Sequence, residues 1–155
     1  MSTDLRDELN AALKEALKAK EKVTMGTIRL ILAAIKDRDI DARSTGKGEY
    51  ISDGDILSLM QSMIKQRKES SKTYKDAGRP ELAAREEEEI LIIQRFLPQQ
   101  MDESEVRNTI DSLIKEMKIT DMREMGKVMA ALKTRYAGQL DMSRASGILK
   151  ERLAG

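Results

Sequence analysis

The chain has 155 residues, 40% of them hydrophobic and 35% charged, with 28 basic against 27 acidic side chains and a formal net charge of +1. There is no Cys and no His, which excludes disulfides, thiol nucleophiles, His-based triads and nearly all zinc sites. A near-zero net charge likewise excludes a globally basic nucleic-acid coat, so any RNA affinity has to come from local patches.

Aromatics make up only 3%, so apolar packing rests on Leu, Ile, Ala and ten Met, with two Pro to interrupt it; this favours helices over a sheet sandwich. Ser2 or Thr3 is expected to cap a first helix with Leu5, Leu9, Leu13, Ala16 and Leu17 on one face. No apolar run reaches the roughly 20 residues of a membrane span, and Asp4, Arg6, Asp7 and Glu8 spoil a secretory signal, so a cytoplasmic protein without membrane contact is expected. After a break near Lys20, Glu21 and Lys22, a second helix carries Ile28, Ile31, Leu32 and Ile35. It fades into "DARSTGKGEYISDGD", the most loop-like stretch of the chain. Ser52 and Asp55 resemble a capping box that opens a third helix to about Ala77. Gly78 fits its C-terminal cap, and Pro80 the first turn of a fourth helix to about Arg95.

Past Pro98 the composition resets. Asp102 or Ser104 caps a fifth helix bearing Val106, Ile110, Leu113, Ile114 and Met117. Asp121 and Glu124 form a capping box for a sixth, striped by Met125, Val128, Met129, Leu132 and Tyr136. Gly138 stops it, and Asp141 starts a seventh helix with Ala145, Ile148, Leu149 and Leu153. The reading is an all-α protein in two parts: an N-terminal domain of about four helices over residues 1–98 and a three-helix domain over 99–155.

Three motifs invite chemistry. Gly126-Lys127 and Gly46-Lys47-Gly48 each lack the remainder of a phosphate-binding loop and the strand that must precede it. Ser70, Ser71 and Lys72 lie mid-helix, where backbone N–H groups are committed and cannot serve a serine nucleophile. Glu86 and Glu89 share the face of Leu82, Ile93 and Leu97, while Arg67 shares that of Ile56, Met60, Met63 and Tyr74. Burying an unpaired charge costs several kcal/mol, so Arg67 is expected to pair with Glu86 or Glu89, with Arg29 as a third member. The rival reading is a catalytic or metal-binding carboxylate pair.

Charge patterning supplies the candidate binding surfaces. Lys65, Lys68, Lys72, Lys75 and Arg79 recur at helical spacing, either as a solvated face or as a phosphate-contacting ridge. From Asp102 to Met122 the local charge is −3, and from Arg123 to Leu153 it is +4, a polarity that suits a polyanion.

The stretch "MGKVMAALKTRYAGQLD" resembles the tail domain of GatB, the B subunit of tRNA-dependent amidotransferase. "IKQRKESSKTYKDAGRPELAAREEEEI" and "FLPQQM" are similar to the N-terminal pattern of stand-alone YqeY-type proteins, and together the match covers nearly the whole chain. Gly126, Lys127, Val128, Met129 and Gly138 match the tail pattern, whereas Leu140 replaces a small residue and Ser146 an Asn. The resemblance implies a helical N-terminal domain and a three-helix tail that helps hold tRNA; with no Cys, no His and no loop-borne Ser nucleophile, no catalytic residue, metal or cofactor is expected. The family label, a carbon–nitrogen ligase with glutamine as amido donor, comes with the shared domain; no residues here support independent ligase chemistry. The expectation is therefore a monomeric, non-catalytic tRNA-associated module touching phosphates through Lys127, Lys133, Arg135 and Arg144, extended by the Lys65 to Arg79 ridge. The alternative is an adaptor for amidotransferase subunits or another translation protein. Gly126 is expected to permit close helix packing, and Gly138 with Asp141 to shape the turn between the last two helices.

Overall fold

A computed structural model describes residues 4–154, which hold seven α-helices and no strand. The fold is all-α, in two compact units, Met1–Leu97 and Pro98–Gly155. Helix starts follow local chemistry. Ser2 and Thr3 lie outside the described residues; the cap of α1 (Leu5–Ala19) is Asp4, whose carboxylate accepts the Arg6 N–H at 2.8 Å. Lys20 in a left-handed conformation, φ 59°, turns the chain into α2 (Lys22–Ser44). That helix continues through Asp41, Ala42 and Arg43, which composition assigns to a loop, because Ala42 is buried and extends the apolar face by another turn. Ser52 accepts the Asp55 N–H at 3.1 Å to open α3 (Asp53–Asp76). Gly78, at φ +71°, ends α3, and Pro80 then begins α4 (Pro80–Gln94).

In this first unit α1 packs on α2, α3 on α4, and α2 also meets both α3 and α4. Leu9, Ile28, Ile31, Ile35, Ile56, Met60 and Ile93 are fully buried between them. Each contributes about 1.5–3 kcal/mol by leaving water. Two expected stripe members fall outside this core: Leu17 is 55% and Leu82 39% exposed. On α1, Ala16 takes the inward position beside Leu17, and on α4 Ala83 takes it beside Leu82.

The second unit is built from α5 (Glu103–Met117), α6 (Met125–Arg135) and α7 (Met142–Ala154), each in contact with the other two. Asp102 caps α5 by accepting the Glu105 N–H at 2.8 Å. Asp121 does not complete the expected capping box. It accepts from Arg123 N–H at 3.0 Å, and a 3-10 turn over Met122–Glu124 leads into α6. Val128, Ile110, Leu113, Leu132, Ile148 and Leu149 form the core. Gly138, at φ +76°, makes the turn to α7, where left-handed backbone favours glycine. The segment entering the unit is fastened to that turn: Met101 N–H donates to Gln139 at 2.8 Å and Gln100 Nε2 to Gly138 at 2.6 Å. Asp141 caps α7 by accepting the Ser143 N–H at 2.9 Å.

Candidate nucleic-acid interface

The charged face of α3 follows from the helical period. Lys65, Lys68, Lys72 and Lys75 fall at spacings of three and four residues, and all are exposed, as is Arg79 in the following turn. At 1.5 Å per residue the four lysines extend along about 15 Å of helix axis. Among the described residues no carboxylate lies within ion-pair distance of Lys65, Lys68, Lys72 or Arg79. Exposed Glu69 and Asp76 flank the row without pairing to it. Lys75 is the exception, with its Nζ 2.6 Å from Glu87 Oε1. The Glu87 carboxyl is held below its usual range, first by Lys75 and then by the Ser71 hydroxyl, which donates to it at 3.1 Å. Ser71 is thus buried and committed to an interhelical bond, not presented as a nucleophile.

On its inward side α3 carries Arg67, whose Nε donates to Glu89 Oε2 at 2.9 Å and whose second nitrogen donates to the Met63 carbonyl at 3.1 Å. Both side chains are mostly buried, at 13% and 14% exposure. Arg85 also approaches Glu89, at 3.6 Å. Glu86 is half-buried and joins no ion pair among the described residues. Arg29 does not join either: it is exposed, because Ile28 beside it takes the inward position on α2. No three His, Cys, Asp or Glu among the described residues are grouped so as to hold a metal ion.

The C-terminal cations are arranged differently from those of α3. The acids of α5 cross to the bases of α6 and α7: Glu103 pairs with Arg144 on α7, and within α5 also with Arg107 at 3.1 Å. Glu116 pairs with Arg135 at 3.0 Å and Asp111 with Arg152 at 2.9 Å. Lys127 meets Glu124 at 3.6 Å. Glu103 is held below its usual range, first by Arg144 and then by Arg107, and Arg135 is raised by Glu116. The sequence polarity of −3 and +4 is therefore largely cancelled in space, with exposed Lys133 and Lys150 left outside these pairs. Val128 is buried and Met129 half-buried in the core. Gly126 is not a close-packing residue: it is exposed, and a Cβ built on it meets nothing within 4 Å.

A further polar cluster went unread in the sequence. Arg6 on α1 donates two bonds to Asp39 on α2, both at 2.8 Å, and a third to the Ile51 carbonyl at 3.2 Å. The Ile51 N–H donates to the same Asp39 carboxylate at 2.8 Å. Asp39 is buried; Arg6 holds its carboxyl below the usual range, and Asp39 in turn raises Arg6. The signal was present, since Asp39 stands four residues after Ile35 on the apolar stripe, where a charge demands a partner.

The sequence model of the family described as Yqey-like protein matches residues 6–153. The protein named altered inheritance of mitochondria protein 41, mitochondrial, from Vanderwaltozyma polyspora is 35% identical over 101 residues, which cover 61% of this chain and 52% of that protein. Its namesake from Lachancea thermotolerans is 34% identical over 112 residues, covering 71% and 58%. The one from Pyrenophora tritici-repentis is 31% identical over 132 residues, covering 82% and 70%. The chain thus spans little more than half the length of the first two relatives. No helix among the described residues is long and apolar enough to cross a membrane.

Proposed function

The chain belongs to the YqeY-like family, and from that premise we propose that it is a non-catalytic, tRNA-associated binding module whose principal phosphate contacts lie on α3. The observation that carries this reading is the row of exposed, unpaired cations, Lys65, Lys68, Lys72 and Arg79. A cation with no carboxylate partner keeps its own counterion atmosphere, and replacing that by a phosphate releases ions to solution. The resemblance of the C-terminal stretch to a tRNA-holding tail domain supports the choice of RNA as the polyanion. Among the candidate contacts there, Lys133 has no ion-pair partner among the described residues, while Lys127, Arg135 and Arg144 must first leave their carboxylates. The α3 row therefore ranks first and the tail residues second.

The test is a titration of unmodified tRNA at several salt concentrations against two variants. Lys65→Gln/Lys68→Gln/Lys72→Gln is expected to weaken binding and to flatten the dependence of log K on log salt by about 2–3. A Lys133→Glu/Arg135→Glu variant is expected to have the smaller effect. If the triple variant keeps the affinity and slope of the parent protein, the α3 assignment is wrong; if only the second variant weakens binding, the tail surface is the site.

A further inference from the structure

Of the four aromatic side chains, three Tyr and one Phe, Tyr74, Phe96 and Tyr136 are at least half-buried, while Tyr50 is 62% exposed. It lies two residues after Gly48, whose φ of +115° is open to glycine and strained for other residues. A tyrosine on such a loop is expected to move freely. This one is anchored, because both backbone polar groups of the next residue, Ile51, are bonded into the buried Arg6–Asp39 pair. The Arg6 guanidinium is 5.2 Å from the Tyr50 ring centroid and that of Arg43 is 5.9 Å away, both within cation–π range.

The charges around the ring are unequal. Arg6 is neutralised by Asp39. Arg43 and Lys47 are exposed, and no carboxylate among the described residues lies within ion-pair distance of either. Glu49 and Asp53 supply the negative charge of the same segment. A ring used only to cover Arg6 would be expected to bury its own faces, and Arg6 is already fixed by Asp39 without it.

We propose that Tyr50, flanked by Arg43 and Lys47, is a stacking platform for an unpaired nucleobase. The base would lie against the Tyr50 ring in place of the Arg43 guanidinium, which now lies over that ring 5.9 Å from its centroid, and Arg43 and Lys47 would meet the adjoining phosphate. Unstacked bases of loops and single strands bind aromatic and guanidinium planes in this way, whereas a duplex keeps its bases stacked on one another. The proposal rests on the RNA-binding reading above and adds to it a stacking contact, which depends less on salt than the phosphate contacts do.

The protein has no Trp and three Tyr, so the difference in tyrosine emission between the parent and a Tyr50 variant reports on the platform. The experiment titrates a single-stranded oligoadenylate, whose bases are unpaired, a fully paired RNA duplex and tRNA into the parent protein, Tyr50→Phe and Tyr50→Leu. Circular dichroism confirms that the exposed substitution leaves the helices intact. The expected result is quenching of parent emission by oligoadenylate, a loss of about tenfold in affinity in Tyr50→Leu with disappearance of that quench, and retained affinity in Tyr50→Phe. Duplex binding should be the same in all three. Equal oligoadenylate affinity in Tyr50→Leu and parent overturns the platform and leaves the α3 reading standing if the lysine triple variant is weakened. Failure of every RNA to bind the parent protein removes both.

Discussion

Replacing Asp39 with Ala removes the acceptor of three hydrogen bonds, two from Arg6 and one from the Ile51 N–H. Deleting one partner of a buried ion pair costs about 3–5 kcal/mol, because the other charge is left without compensation. The Arg6 side chain is 25% exposed against 6% for Asp39, so the guanidinium regains some water and the lower end of that range applies. An unsatisfied Ile51 N–H adds roughly 1 kcal/mol. A destabilisation of about 3–4 kcal/mol is expected, measured by urea unfolding followed through helical circular dichroism. The cycle Arg6→Met, Asp39→Leu and the double variant should yield a coupling of about 2 kcal/mol or more, with the double variant less damaged than either single. The pH dependence supplies an independent check. Arg6 lowers the Asp39 carboxyl in the folded state, so the pair's contribution is complete above the unfolded carboxyl value of about 4 and is lost as pH falls through the folded value. The parent and the apolar double variant should therefore differ in stability at neutral pH by an amount that changes below about pH 4. Additive single effects, or a loss under about 0.5 kcal/mol in Asp39→Ala, would refute the assignment of this cluster as a buried anchor.

Other substitutions separate further claims. Glu89→Ala leaves the mostly buried Arg67 unpaired and is expected to cost about 2–3 kcal/mol in the same unfolding assay, whereas Arg29→Ala should stay within about 0.5 kcal/mol. The two glycines of the tail stretch should respond in opposite directions. Gly126→Ala places its Cβ in open space and should stabilise by about 0.5 kcal/mol through helix propensity, raising the midpoint temperature slightly. Gly138→Ala forces a side chain into φ +76° and should lower stability by about 1–2 kcal/mol. A destabilised Gly126→Ala would restore the close-packing explanation for that residue.

Much of the fold was legible because helix boundaries are set by local chemistry. Ser52, Pro80, Asp102 and Asp141 each act on backbone groups within three residues, so the sequence carries their partners beside them. Where the reading went astray, two local solutions were nearly equivalent. A 3-10 turn after Asp121 takes the place of a capping box, and Ala42 draws α2 onward through a polar stretch. In the candidate site, the Arg67–Glu89 pairing was legible as charges on apolar stripes. The Arg6–Asp39 pair was harder to read, because Asp39 continues the apolar stripe of α2 into a polar stretch and its partner lies 33 residues away in sequence. Counting charge along the chain also misleads for Arg144 and Glu103, which lie 41 residues apart in sequence yet share a hydrogen bond. Local counting sees their charges as separate blocks, whereas packing α5 on α7 superimposes them.

That superposition makes the second unit resemble an ion-exchange resin supplied in its loaded form. The carboxylates of α5 already occupy the guanidinium groups of α6 and α7. A polyanion arriving there displaces tethered side chains in place of mobile salt ions, and little is released to the bulk. Whatever affinity this face contributes should then respond weakly to ionic strength. Selectivity on it would come from the geometry of the incoming anion, since only one that presents its oxygens better than a glutamate already in place gains by the exchange.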